Sequence, residues 1–216
     1  MQISRSIFKM VERLIQRFEV EYISTRMNLI YKWRFGRIGI KSMIYTPLSL
    51  FNPQNVFIGD GVHIFKQSRI MTIERWGNIS YKPQIIIGNR VSIEQRLHMI
   101  CAKLIEIGDD TVISADVMIT DNNHSYSVIN KNVMSQPLEV KETVIGKCCF
   151  IGMGVKIMAG TKLGDNCIIG SNSVVIGEYP SYVVLGGTPA KIIKRYDFEA
   201  NMWRKTNSKG DFIDAV

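Results

Sequence analysis

Residues 145–175 read IGKCCF IGMGVK IMAGTK LGDNCI IGSNSV V, and in them an aliphatic residue returns at every sixth position: Ile145, Ile151, Ile157, Leu163, Ile169 and Val175. Four of the six are followed directly by glycine, at Gly146, Gly152, Gly164 and Gly170. A period of six fits neither the 3.6 of a helix nor the alternation of a half-buried antiparallel strand. It fits a parallel β-helix, in which short flat faces meet at corners and each face sends one aliphatic side chain inward. Glycine then relaxes the backbone where the chain turns.

The same period extends upstream in triples: Ile107, Ile113, Ile119; Ile87, Ile93, Met99; Ile58, Ile64, Ile70; and Ile38, Ile44, Leu50. Every triple opens on a residue followed by glycine, at Gly39, Gly59, Gly88, Gly108, Gly146 and Gly164. The expected fold is therefore all-β, a parallel β-helix of about six three-sided coils. Two gaps between triples are long: Ile70 to Ile87, and Ile119 to Ile145. Excursions from a solenoid are natural carriers of function, because the rigid coil positions a loop that it does not need for its own stability. The second excursion, a long loop over 120–144 out of the fourth coil, contains Asp121-Asn122-Asn123-His124. The first carries Trp76, for which stacking on a sugar and packing on the coil are both open readings.

The 216 residues are 46% hydrophobic and suit one domain with a continuous core. We divide them into an N-terminal helical segment (1–36), the β-helix with its loop (37–178) and a C-terminal segment and tail (179–216). Cys101, Cys148, Cys149 and Cys167 lack metal-ligand spacing and read as buried reduced thiols, which fits a cytoplasmic protein. No signal peptide or spanning helix is evident at the N-terminus.

Of the net charge of +8, residues 1–41 hold +6, from nine basic and three acidic side chains. No nucleic-acid recognition motif accompanies it, so a nucleic-acid partner is not expected. From Ser4 to about Arg26, Ile7, Met10, Val11, Leu14 and Phe18 recur at helical spacing, with Arg5, Lys9, Arg13 and Arg17 on another face. This helix either covers the open end of the solenoid or packs on a neighbouring subunit. Alternatively, it rests on an anionic membrane surface as a peripheral contact. Near the other end, Asp197 is placed to cap a short C-terminal helix through Trp203, and Ser208 to Val216 read as a frayed tail.

The stretch from Ile107 to Arg195 resembles the hexapeptide-repeat acyltransferases, in particular the galactoside, maltose and xenobiotic O-acetyltransferases and the sugar acetyltransferases of bacterial surface polysaccharides. The matching features are Ile107-Gly108-Asp109, the loop with Asn123-His124, Phe150-Ile151-Gly152, Ala159-Gly160-Thr161, Ile169-Gly170-Ser171 and Gly186-Gly187-Thr188-Pro189-Ala190-Lys191. The resemblance implies a left-handed winding, a homotrimer with active sites between subunits, acetyl-CoA as donor and a sugar hydroxyl as acceptor, with no metal.

It also implies roles for particular residues. His124 is the general base, a role suited to an imidazole of ordinary pKa about 6.5. The Met153 backbone N–H is the oxyanion donor. Gly160, Ser171, Gly187, Pro189, Lys191 and Lys194 match the CoA-binding positions, the two lysines meeting phosphates as point charges. Glu94 falls where relatives carry an acceptor-binding asparagine and could accept a hydrogen bond from a sugar hydroxyl or orient His124; Asp121 and Asn123 are further acceptor-site candidates that could also orient His124.

Three other readings compete with this one. N-acylation of an amino nucleotide sugar shares the fold. A zinc carbonic anhydrase on the same solenoid needs three converging histidines, and His63, His98 and His124 lack the close pairing in sequence that it requires. A non-catalytic scaffold does not explain why the His124 loop and the C-terminal motif occur together.

Overall fold

In a computed structural model, residues 5–207 and 210–213 are described. Within 5–34, the described side chains exclude those at positions 5, 6, 19, 20, 24, 27 and 28. The expected tail, Ser208–Val216, lies partly outside the described residues.

The chain winds through three sheets of parallel strands. The first runs from Arg37–Ile38 through Val56–Ile58, Gln84–Ile87, Leu104–Ile107, Thr143–Ile145 and Lys162–Leu163 to Glu178–Tyr179. The second runs from Met43–Ile44 to Val183–Gly187, and the third from Ser49–Phe51 to Val174–Val175. The six-residue period appears directly in the registers. Ile58, Ile87, Ile107 and Ile145 are successive partners on the first sheet, as are Ile64, Ile93, Ile113 and Ile151 on the second. Nearly all of the inward aliphatics are fully buried. Each contributes about 1.5–3 kcal/mol relative to an exposed side chain. The ladder also continues past Val175, since Tyr179 pairs with Leu163 and Leu185 with Ile169.

Glycine after the first aliphatic of each triple has a different cause from the one expected. These glycines do not take positive φ; the left-handed corner residues lie two positions later, at Lys41, Gly61, Arg90, Asp110, Cys148 and Asn166. What excludes a side chain is the next coil, because a Cβ on Gly108 would stand 2.6 Å from the Gly146 carbonyl carbon. At Cys148 the left-handed corner turns the thiol outward, so one of the four cysteines is exposed rather than buried.

At the corner after the first sheet, side chains cap the outward amides of the coil before. Ile40 N–H donates to Asp60, Asp60 N–H to Asn89, Asn89 N–H to Asp109, Lys147 N–H to Asp165 and Asp165 N–H to Ser181, all at 2.7–2.9 Å. The run breaks at Lys147, whose side chain has no acceptor. Further exposed rungs, Arg90 to Asp110 and Arg96 to Asp116, are bidentate and span twenty residues, one coil.

Helix α1 (Arg5–Arg26) continues through a wider turn (Met27–Tyr31) and a short segment (Lys32–Arg34) into the first coil. Ile23, Tyr31 and Phe35 join the core, and Arg26 Nη2 donates to Ile44 O at 3.1 Å. Among the described side chains of the helix, Ile23 and Arg26 at this end meet the solenoid, while Ile7, Phe8, Met10, Val11, Leu14, Ile15 and Phe18 are exposed.

The expected C-terminal helix is absent. Ala190–Asp197 and Met202–Lys205 form an antiparallel hairpin added to the second sheet. Asp197 does cap backbone, accepting from Glu199 and Ala200 N–H at 3.0 Å, but the capped segment is the hairpin turn. Arg204 then binds the second Asp197 oxygen at 2.6 Å and closes the hairpin. These contacts hold the Asp197 carboxyl below the usual carboxylate range, the Ala200 N–H first and Arg204 second.

Candidate active site

Both excursions leave from the corner between the third and first sheets, and both are hairpins rather than open loops. Arg75–Trp76 pairs with Ile79–Ser80, and Asn122–His124 pairs with Leu138–Val140. They lock to each other. Trp76 Nε1 donates to Gln136 O at 2.9 Å, and Leu138 N–H donates to the Tyr81 hydroxyl at 3.3 Å. The Trp76 ring lies 5.0 Å from the His124 ring at 55°. His124 and Asn123 are exposed on this arm. Trp76 therefore packs against the candidate base, a role that no local sequence signal conveys, since its partners lie 48 and 60 residues away.

The root of the arm is held by Asp121, which is fully buried. Its Oδ1 accepts from Ala102 N–H (2.8 Å) and Asn122 Nδ2 (2.9 Å), and its Oδ2 from Lys103 N–H (2.6 Å) and Leu104 N–H (2.8 Å). Cys101 Sγ adds a contact at 3.2 Å, and burial together with the Asp121 charge pushes that thiol well above its ordinary pKa. A carboxylate so enclosed has no lone pair left for an acceptor sugar. The expectation for Asp121 is thus corrected: it organises the corner from which the arm departs.

Met153 and Glu94 sit on a different corner, between the second and third sheets. Here the outward amides are not capped. Gly152 N–H donates to Ile169 O (2.9 Å) and Gly154 N–H to Ala115 O (3.0 Å), whereas the N–H groups of Ala115, Met153 and Ser171 have no partner among the described residues. Gly152, Gly170 and Gly186 follow the successive second-sheet residues Ile151, Ile169 and Leu185, leaving a strip of bare backbone beside those amides. Ser171 and Gly187 lie along the strip and are exposed, as are Pro189, which follows a cis bond from Thr188, and Lys191 and Lys194 on the added hairpin. Gly160 is apart from them, on the arm's corner, where Lys141 covers it. Glu94 is half-buried, two coils before Met153 on the same corner.

Within one chain, then, the structure groups Glu94, Met153, Ser171, Gly187 and Pro189 along one corner, with Lys191 opposite Gly186 beside it and Lys194 further along the hairpin opposite Val184, and it puts Asn123 and His124 on an arm from another. The uncapped amides and bare backbone suit a long, narrow ligand with carbonyl oxygens, and the two exposed lysines suit its phosphates. His63, His98 and His124 stand on the second sheet, the third sheet and the arm, and among the described residues no cluster of three His, Cys, Asp or Glu side chains could hold a metal ion.

Residues 142–177 match the model of the bacterial transferase hexapeptide (six repeats). WbbJ of Escherichia coli K12, named as a candidate lipopolysaccharide biosynthesis O-acetyl transferase, is 36% identical over 129 residues, 56% of this chain. The chain spans 65% of that relative's length. The N-acyltransferase AntD of Bacillus cereus, solved with dTDP and 3-hydroxybutyryl-CoA, superposes with a TM-score of 0.65 over 81% of this chain and 90% of its own, at 18% identity. A galactoside acetyltransferase solved with coenzyme A superposes with a TM-score of 0.52 over 85% of this chain and 75% of its own, also at 18% identity. At such identities the two structures speak for the fold alone. Repeat and relatives agree: the chain carries the bacterial transferase hexapeptide repeat over residues 142–177 and is similar to an O-acetyl transferase over 129 residues.

Proposed function

We propose that the protein transfers the acetyl group of acetyl-CoA to a hydroxyl of a sugar, in the biosynthesis of a bacterial surface polysaccharide. The observation that carries this reading is the occurrence in one chain of an exposed histidine on a braced arm and, on a separate corner, of uncapped amides next to Ser171, Gly187 and the lysine-bearing hairpin. The named activity of WbbJ supports the acceptor class.

In this reading neutral His124 takes the proton of the attacking hydroxyl. The Met153 N–H meets the negative charge that develops on the acetyl oxygen. Asn123 and Glu94 bind the acceptor, while Gly160, Ser171, Gly187, Pro189, Lys191 and Lys194 hold the CoA arm and its phosphates. Base and oxyanion donor leave from different corners, which suits a homotrimer whose active sites lie between subunits, the arm of one copy meeting the amide corner of the next. The left-handed winding of six coils and a cytoplasmic location belong to the same reading.

The test is thiol release from acetyl-CoA, wild type beside His124→Ala, against free sugars, nucleotide sugars and polysaccharide fragments. The expected outcome is turnover on a sugar that falls by about 10²–10⁴ in the variant, with CoA binding retained. Equal turnover in the variant would remove His124 from its role. A second reading, N-acylation of an amino nucleotide sugar, is compatible with the same fold, which the N-acyltransferase AntD shares. Turnover on amine but not hydroxyl acceptors would select it.

A further inference from the structure

Helix α1 is the largest feature that the acetyl-transfer reading leaves unused. It holds 22 residues, about 33 Å of length. On a wheel of 100° per residue, Met10, Leu14, Ile7, Phe18, Val11, Tyr22, Ile15 and Phe8 fall in one arc, broken only near its Met10 edge by Glu21. All eight are exposed, Phe18 at 68%, whereas Ile23, where the helix meets the first coil, is at 2%. Lys9, Arg13 and Arg17, all exposed, lie outside the centre of that arc, and Lys9 and Arg13 lie opposite it.

The apolar surface does not end with the helix. Leu29, Ile30 and Trp33 are exposed just after it, Trp33 at 81% between Lys32 and Arg34, and the adjoining first coil exposes Ile40, Leu48 and Phe51. An exposed apolar patch of this extent marks an interaction surface. Among the described residues no helix is long and apolar enough to cross a membrane.

We propose that α1 lies in the plane of an anionic lipid bilayer, with Ile7, Leu14 and Phe18 among the acyl chains and Lys9, Arg13 and Arg17 against phosphate headgroups. Charge selects this occupant. Residues 1–41 carry six of the eight net positive charges: Lys9, Arg13 and Arg17 stand on the polar side of α1, and the exposed Lys32, Arg34, Arg37 and Lys41 flank Trp33 and Ile40 in the chain, which is the pattern of an interfacial segment. The firm junction at Ile23 and Arg26 fixes the solenoid to the helix, so docking presents the first coil to the lipid surface. This inference does not depend on the acetyl-transfer reading.

The test is co-sedimentation of the full chain with vesicles of phosphatidylcholine, with and without phosphatidylglycerol, beside Phe18→Glu and the triple variant Lys9→Glu, Arg13→Glu, Arg17→Glu. Expected is binding to the anionic vesicles, weakened about tenfold or more in either variant and on omitting phosphatidylglycerol, and reduced by salt. Circular dichroism and oligomeric mass of the variants should match wild type. Wild type that ignores anionic vesicles, or variants that bind as wild type does, would overturn the proposal. If wild type ignores vesicles and Phe18→Glu alters the oligomeric mass, the apolar face is instead a contact between copies.

Discussion

Asp121 has four donors within 2.9 Å, three of them backbone N–H groups of the Ala102–Leu104 corner. That corner lies one coil before the arm, and the backbone of the arm's root is tied in at the same place, with Lys141 N–H donating to Asp121 O at 2.8 Å and Thr143 Oγ1 to Thr120 O at 2.8 Å. Removing the carboxylate leaves those N–H groups without an acceptor in a largely closed site, at about 1–3 kcal/mol each. Asp121→Ala should therefore lose about 3–5 kcal/mol in urea unfolding. Asp121→Asn should lose nearly as much, because its amide turns donors toward donors on one side. A loss below about 1 kcal/mol for both variants would mean that the corner stands without the carboxylate. The side chain next to Asn122-Asn123-His124 in sequence thus acts on the arm's position rather than on a substrate.

Between the two hairpins, the contact that matters joins elements far apart in sequence. The Trp76 indole supports the His124 ring on one side and holds the Gln136 carbonyl on the other. In Trp76→Ala the solenoid should fold unchanged, since the hairpin stands outside the core, while kcat falls about 10–100-fold from a loosened base and the KM for acetyl-CoA stays constant. Trp76→Phe, which keeps a ring against His124, should recover part of the loss. Unchanged kcat in Trp76→Ala would make the contact incidental. This also shows what the sequence conveyed and what it did not. Six-residue spacing reads directly as ladder register, because one inward aliphatic per face is a local rule, and Ile107, Ile113 and Ile119 lie where their spacing puts them. Trp76 left two readings open, and the structure adds a third that depends on a residue 48 positions on. At Asp197 a local rule misled: an aspartate capping two amides begins a helix or tightens a hairpin turn with the same bonds, and the pairing of Tyr196 with Trp203 decides for the hairpin.

Across the whole molecule, charges are stacked by the coil repeat, and the stability of the solenoid should record it. On the outer face of the third sheet Arg69, His98, Met118 and Lys156 are successive partners. Partial burial, then Arg69, then Lys156 hold the His98 pKa below its ordinary value. In the unfolded chain the same imidazole titrates near about 6.5. Between these two values the unfolded state binds the extra proton, so stability rises with pH there. It is complete above the unfolded pKa and is lost as pH falls through the folded one. Asp109, Asp110, Asp116 and Asp197 act with the same sign at lower pH: backbone and side-chain bonds from Asn89, Arg90, Arg96 and Ala200 depress their pKa values, and that stability disappears only as the carboxylates protonate. Urea midpoints measured from about pH 8 to pH 3 should therefore fall in two steps, one beginning near the histidine range and one in the carboxylate range. His98→Gln should flatten the first step and leave the second. If the first step survives in His98→Gln, the crowding of His98 between Arg69 and Lys156 is not its source.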